Sequence, residues 1–280
     1  MSGDILYLPR WRARGSAVGA HRGRDAGGLG TFKDQVPFWR LPDARRIDVR
    51  ASLRDPFEGI VVRRFESRTA LEVWALVDLS ASMRFRGEAD RMVLVGDLCA
   101  GLAASATRIG DRFGLLACDA DIREDLSLPA TRRRNEARAA AARIASAEPA
   151  GRSAAGLIAA ARRIAGRPKL VFLVSDFRWP EALLDAVLAA LAFHDVVPVV
   201  VADSAEEAGL PSWGLLEIED LEGAGRRAVL MRPALRRRWL EREAQRLARL
   251  GRLVRRQGRA PFRLADRFDP EALSRHLLGS

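Results

Sequence analysis

The chain has 280 residues, 48% of them hydrophobic and 30% charged, with a formal net charge of +11; this excludes a purely disordered protein and suits one large domain with extensions. Of 47 basic residues only Lys33 and Lys169 are lysines, so arginine carries the excess charge. That excess fits a surface for nucleic acid, acidic lipid or an acidic protein, and it fits equally the arginine, alanine and glycine bias of a GC-rich genome.

Residues 1–35 are rich in arginine and glycine without hydrophobic periodicity, and are expected to form a flexible basic arm. They contain no apolar segment of signal-peptide type, and no apolar run in the chain approaches the roughly 18 residues that a membrane span needs. A cytoplasmic protein without membrane spans is therefore expected. Residues 36–70 mix proline, aspartate and arginine with short apolar pieces, of which Ile60 to Phe65 suits an edge strand. This stretch is expected to be an extension that packs on a core spanning residues 71–280.

Strong patterning begins at Leu71. The run Leu71 to Val77 is almost wholly apolar and ends in Asp78, as in a strand buried on both faces. A helix is expected over 89–108, strands over 113–118 and 122–126, and alanine-rich helices over 136–147 and 153–165. Leu170 to Ser175 is the clearest strand, again followed by an aspartate, Asp176. A helix over 180–193 and a strand over 196–201 follow. A hairpin (215–218 with 228–231), a long helix (234–257), a strand (261–264) and a helix (270–277) with Asp269 as N-cap complete the chain. Alternation of this kind predicts an α/β fold, a doubly wound and mainly parallel sheet with helices on both faces. Ligands of such sheets bind beyond the carboxyl ends of the strands, where Asp78 and Asp176 lie.

The spacing Asp78-x-Ser80-x-Ser82 places one carboxylate and two hydroxyls on a strand-to-helix loop, where alternate side chains converge. These are hard oxygen donors of the kind Mg2+ takes while keeping several of its waters. The competing structural account makes Asp78 and Asp176 helix caps and Ser153 an N-cap. On the long helix, Arg238, Arg242, Arg249, Arg252 and Arg256 share one face, opposite Leu240, Ala244, Leu247 and Val254. That basic face is either plainly solvated or a docking surface for an acidic partner, with Arg238, Arg242 and Arg249 as its candidates. Cys99 and Cys118 have neither CxxC nor Cys/His spacing. No histidine pairs with a serine or cysteine in a nucleophile motif. Gly27-Gly28-Leu29-Gly30 lacks the lysine and the preceding strand of a phosphate loop. Only Tyr7 and Trp11 among large aromatics precede Phe32, so a base-stacking platform for nucleic acid is not built there.

The run Val77-Asp78-Leu79-Ser80-Ala81-Ser82-Met83 resembles the metal-ion-dependent adhesion site (MIDAS) of von Willebrand factor A-type (vWA) domains, which have a Rossmann-like fold. Asp176 matches that family's late acidic residue, and Ser153 stands where the family has threonine. Upstream, Pro42 to Ser52 and Val62 to Glu66 resemble the segment before the core in bacterial vWA proteins encoded beside MoxR-type AAA+ ATPases, including short, MxaS-like members without membrane helices. Val49 replaces that segment's usual tryptophan. The resemblance implies a divalent metal (Mg2+, or Mn2+ or Ca2+) held by Asp78, Ser80, Ser82, Ser153 and Asp176. It implies a non-catalytic adaptor that works with a MoxR-type ATPase and captures a client protein through an acidic residue. The alternative enzyme is a Mg2+-dependent phosphatase or hydrolase using Asp78 and Asp176. Its general acid would have to sit two residues after the nucleophile, where this chain has Ser80.

Overall fold

In a computed structural model, residues 4–11, 18–22, 31–66, 68–208, 210–220, 225–255 and 259–279 are described. The chain divides into two compact units, Pro9–Leu71 and Met1–Leu8 with Glu72–Ser280.

In the smaller unit, β1 (Val18–Arg22) pairs with β4 (Arg68–Thr69), and β2 (Thr31–Pro37) with β3 (Val61–Glu66), both antiparallel. Between β2 and β3, a four-residue helix α1 (Val49–Ser52) is capped by Asp48, whose Oδ1 accepts from the Ala51 N–H at 3.1 Å. Asp48 Oδ2 takes the Arg63 Nε at 2.8 Å, and this guanidinium, above all, holds the Asp48 carboxyl down at about 2. The β3 strand follows the apolar run read in the sequence. The β1 strand carries a glycine and an arginine, and β2 has Lys33, Asp34 and Gln35 in succession, so neither shows a clean apolar alternation. Residues 12–17 and the glycines at 27–30 lie outside the described residues.

In the larger unit, six strands are ordered β12-β9-β8-β5-β6-β7. They are β5 (Glu72–Asp78), β6 (Arg112–Cys118), β7 (Leu128–Thr131), β8 (Leu170–Ser175), β9 (Asp195–Ala202) and β12 (Phe262–Ala265). All pairings are parallel except that of β7 with β6. The separate hairpin β10 (Gly214–Asp220) and β11 (Gly225–Met231) is antiparallel. The helices are α2 (Arg91–Arg108), α3 (Arg134–Ala145), α4 (Gly156–Arg163), α5 (Glu181–Ala190), α6 (Ser204–Ala208), α7 (Pro233–Arg255) and α8 (Pro270–Gly279). This is the doubly wound, Rossmann-like α/β architecture expected from the alternation of elements.

Alternate residues of each strand serve the two faces. Trp74 and Leu76 of β5, Leu116 and Cys118 of β6, and Val171 and Leu173 of β8 form one core with Leu157 and Ala160 of α4, Val187 of α5 and Val254 of α7. The opposite face meets α2 and α3. These two helices approach so closely that a Cβ on Gly96 would lie 2.4 Å from Ala145 Cβ. One strand departs from expectation. The segment at 122–126 forms a turn in which Ile122 bridges Cys118, held by the Arg123 N–H on the Ala117 carbonyl at 2.8 Å. The edge strand follows at Leu128. Charged residues at Asp121, Arg123, Glu124 and Asp125 suit that turn better than a pleated edge.

At the amino ends of the strands, the Ile5 N–H donates to Ser105 Oγ at 2.9 Å and the Tyr7 hydroxyl to Asp111 Oδ2 at 2.7 Å. Arg259, 1% exposed, directs its guanidinium at Asp195 and at the carbonyls of Leu8 and Leu277. His194, buried just before β9, accepts the Lys169 N–H on Nδ1 at 3.3 Å. Burial and the nearby Lys169 charge push its pKa down from 6.5 to about 4. The unfolded chain binds a proton below pH 6.5, whereas folded His194 refuses it until about pH 4. The stability from neutral His194 is therefore complete above pH 6.5 and is lost as pH falls toward 4. Urea unfolding at pH 7 and pH 5 should show a loss of about 2 kcal/mol from this group, on the scale of 1.4 kcal/mol per pK unit. His194→Asn should flatten that slope; an identical slope in the variant would assign the loss to other groups.

Candidate functional site

The sheet reverses its winding beside β5, since β6 lies on one side of it and β8 on the other. The carboxyl ends of β5 and β8 are therefore the switch point where doubly wound sheets bind ligands. Asp78 is the last residue of β5, and Asp176 follows the last residue of β8.

Asp78 is fully buried, and both carboxylate oxygens are engaged. Oδ1 accepts the Ser80 N–H at 2.8 Å, while Oδ2 accepts the Ser175 hydroxyl at 2.6 Å and the Trp179 indole N–H at 2.8 Å. Burial, joined by the charge of Asp176, pushes the Asp78 carboxyl up from its ordinary range, against the pull of those three hydrogen bonds. Neither aspartate caps a helix. Asp90 caps α2 through the Met92 N–H at 2.9 Å, and α5 starts after Pro180 with no side-chain cap. The capping account of Asp78 and Asp176 thus does not describe this structure.

Ser80 is buried and its Oγ lies 3.2 Å from Ser82 Oγ. Two oxygens bound side by side at 2.0–2.1 Å on an octahedral ion are about 3 Å apart, so the pair matches one edge of a Mg2+ shell. A desolvated carboxylate beside it supplies the negative charge a cation compensates. The donor set is nonetheless sparse: among the described residues, no group of three or more His, Cys, Asp or Glu side chains is placed to hold a metal. Any ion here depends on hydroxyls and water as well as carboxylates.

The loop bearing Ser153 runs alongside. The Ala81 N–H donates to the Gly151 carbonyl at 2.7 Å and the Gly151 N–H to the Leu79 carbonyl at 3.4 Å. Ser153 itself is half-buried, and its hydroxyl accepts the Ala155 N–H of its own loop at 3.1 Å. Four residues of the predicted set are gathered directly; Ser153 is brought near by its backbone.

Several partners of the site carry no local signal in the sequence. The β8–α5 loop supplies Ser175 and Trp179 to Asp78. Phe177, at φ 55°, adopts a left-handed backbone that a bulky residue rarely takes. Its N–H donates to Ser175 Oγ at 2.9 Å, and Arg246 of α7 donates to the carbonyls of Asp176 at 2.6 Å and Phe177 at 3.0 Å. Arg91 reaches Asp176 from the first turn of α2. A positive charge there opposes the helix dipole, an anomaly that could have drawn attention in the sequence. On α7, Arg238 and Arg242 are exposed, Arg249 forms an ion pair with Glu181, and Arg256 lies outside the described residues. A cavity of about 500 Å3 opens under α7 beside Asp176, with Val200, Leu210, Trp239 and Leu247 among its walls.

Residues 42–249 match the family described as "Protein of unknown function DUF58". The chain belongs to this family. A relative from Paracoccus denitrificans, the "Uncharacterized protein in moxR 3'region", is 39% identical over 99 residues, 34% of this chain and 90% of that protein. Among solved structures, BatB from Bacteroides thetaiotaomicron is 18% identical with a TM-score of 0.47, covering 75% of this DUF58 chain and 98% of BatB. An aerotolerance-related membrane protein from Bacteroides fragilis is 17% identical at TM-score 0.45, over 75% of this chain and 100% of that one. A mussel byssus proximal thread matrix protein 1 with a zinc-occupied MIDAS motif is 16% identical at TM-score 0.36, over 48% and 38%. At these scores the fold assignment rests on the strand order itself. Among the described residues, no helix is long and apolar enough to cross a membrane.

Proposed function

We propose that this DUF58 protein is a vWA-like, metal-dependent protein-binding module, in which Asp78, Ser80, Ser82, Ser153 and Asp176 surround a divalent ion, Mg2+ first. The observation that carries the reading is the pair of hydroxyls of Ser80 and Ser82, 3.2 Å apart beside buried Asp78 at the switch point of the sheet. The ion would supply a Lewis-acidic position for a partner's carboxylate. This chain's own residues orient that position: Trp179 and Ser175 fix the Asp78 carboxylate, and Arg246 fixes the backbone at Asp176. Three donors on Asp78 and a serine two residues later favour a binding module over a phosphatase, because the carboxylate is already engaged and the position of the general acid holds a hydroxyl. The partner we propose is a MoxR-type AAA+ ATPase, with the module as its cytoplasmic adaptor toward an acidic client; the relative named for the moxR region supports this. Arg238, Arg242 and Arg249 on α7 would form the basic rim.

Mg2+ or Mn2+ at about 100 times its Kd should stabilise the protein by about 2.7 kcal/mol, or roughly 5–10 °C in melting temperature. Asp78→Ala should abolish that metal-dependent rise whatever its own stability. A full rise in the variant would remove Asp78 from the site. Retention of the ATPase should also weaken in EDTA; retention indifferent to both EDTA and Asp78→Ala would take the metal out of partner binding.

A further inference from the structure

Arg91 is 1% exposed. Its Nη1 donates to the Ser82 carbonyl at 2.8 Å and approaches Asp176 Oδ2 at 3.4 Å, while Nη2 lies 2.6 Å from Glu206 Oε1. The guanidinium stands 5.0 Å from the centre of the Phe85 ring. Its Nε has no hydrogen-bond acceptor among the described residues. A buried cation with incomplete hydrogen bonding at the positive end of a helix dipole is costly. A hydrophobic residue would fill the same space more cheaply.

The charges around it show what the cost provides. Glu206 also takes Arg178 at 3.0 Å, and Glu243 takes Arg246, so the outer carboxylates have cations of their own. Arg178 also lies 4.0 Å from Asp176 Oδ2, so the cluster is counted whole: Asp78, Asp176, Glu206 and Glu243 against Arg91, Arg178 and Arg246 leave a single net negative charge. A divalent ion would overshoot it by one positive charge, the charge that one incoming carboxylate neutralises. We propose that Arg91 is the built-in counter-cation of this site, a positioning residue that ties Ser82 to Asp176 and makes tight metal binding conditional on an arriving carboxylate. The inference rests on the metal-binding reading above and adds to it a regulation: the isolated module binds the ion weakly, and metal and acidic partner bind as a pair.

Mg2+ titrations followed by thermal shift and calorimetry, with acetate as the carboxylate probe and chloride at matched ionic strength as control, test this. Arg91→Met keeps the bulk and removes the charge, and should tighten Mg2+ binding roughly tenfold while erasing the enhancement by acetate. Arg91→Lys, which retains the charge, should stay near wild type. Glu206→Gln leaves the Arg91 charge less balanced and should weaken Mg2+ binding; it decides the matter if Arg91→Met does not fold, since unchanged or tighter binding in it would overturn the proposal. A folded Arg91→Met that binds Mg2+ no better than a responsive wild type overturns the role of Arg91 alone. Silence of every variant overturns the metal reading and this inference together. A silent wild type beside a responsive Arg91→Met supports the inference directly.

Discussion

Replacing Arg259 with methionine should destabilise the protein by about 3–5 kcal/mol, the range seen when one partner of a buried ion pair is removed. Arg259 is 1% exposed and Asp195 is 5% exposed. Nε of the arginine donates to Asp195 Oδ1 at 3.1 Å and Nη2 to Oδ2 at 3.0 Å, and the same guanidinium serves the carbonyls of Leu277 and Leu8. One side chain thus joins the start of β9, the end of α8 and the N-terminal segment. Methionine fills much of the space but strips the guanidinium from a buried carboxylate and two carbonyl oxygens. The double variant Asp195→Leu, Arg259→Met should recover much of the loss, because a pair replaced by apolar residues no longer buries a charge. Urea unfolding of the three proteins checks this; a loss below about 1 kcal/mol in Arg259→Met would show that the change does not leave the Asp195 charge buried and uncompensated. The effect should stay away from the candidate site. Asp195 opens β9 at the amino edge of the sheet, whereas Asp78 and Asp176 lie at the carboxyl edge, about 20 Å away along strands rising 3.3 Å per residue. At temperatures where Arg259→Met remains folded, its metal response should match wild type.

The contrast between those two edges also explains what the sequence made legible. Strands buried on both faces need continuous apolar runs, so β5, β8 and β9 stood out at once, and the aspartates that end the first two marked the ligand edge. Asp78, Ser80 and Ser82 could be read because their convergence is local, set by one loop. The contacts of Asp78 with Ser175 and Trp179 join residues about 100 positions apart, and no periodicity encodes such pairings. Arg91 and Arg246 were hidden for a related reason. Arginine is abundant in this chain, so the two that turn inward look like the many that face water. On α7 the helical wheel placed Ala244 on the inner stripe, yet it is exposed, and Leu250 is buried in its stead. Arg246 of this helix donates to the carbonyls of Asp176 and Phe177, a tertiary constraint that the apolar pattern of the helix does not contain. Ile122 and Leu126 are the apolar ends of an otherwise charged segment, a pattern that resembles a short strand and here closes a turn.

Gly151→Ala should separate Ser153 from the other site residues while leaving the fold standing. A Cβ at position 151 would lie 2.3 Å from Asp119 Cβ and 3.3 Å from the Leu79 carbonyl. Asp119 cannot swing aside: its Cβ is fixed to a backbone whose carbonyl accepts the Gly156 N–H at 3.0 Å and whose N–H donates to the Asp121 carbonyl at 3.0 Å. The loop at 151 must move instead, and the Ala81–Gly151 and Gly151–Leu79 hydrogen bonds are the first to yield. Overpacking of this kind costs about 1–3 kcal/mol, which a domain with a core on each face of its sheet tolerates. The effect on the site should be larger than that of Ser153→Ala, which deletes one hydroxyl and keeps the seam. Mg2+ affinity should therefore fall in the order wild type, Ser153→Ala, Gly151→Ala, with the last weakened about tenfold or more. Ser153→Thr should match or exceed wild type, because the added methyl group restricts χ1 and costs less ordering on binding. Titrations monitored by thermal shift, with circular dichroism to confirm the fold, give the ranking. Equal affinity in Gly151→Ala and wild type would detach the Ser153 loop from the metal and leave Asp78, Ser80, Ser82 and Asp176 as the whole of the protein's contribution.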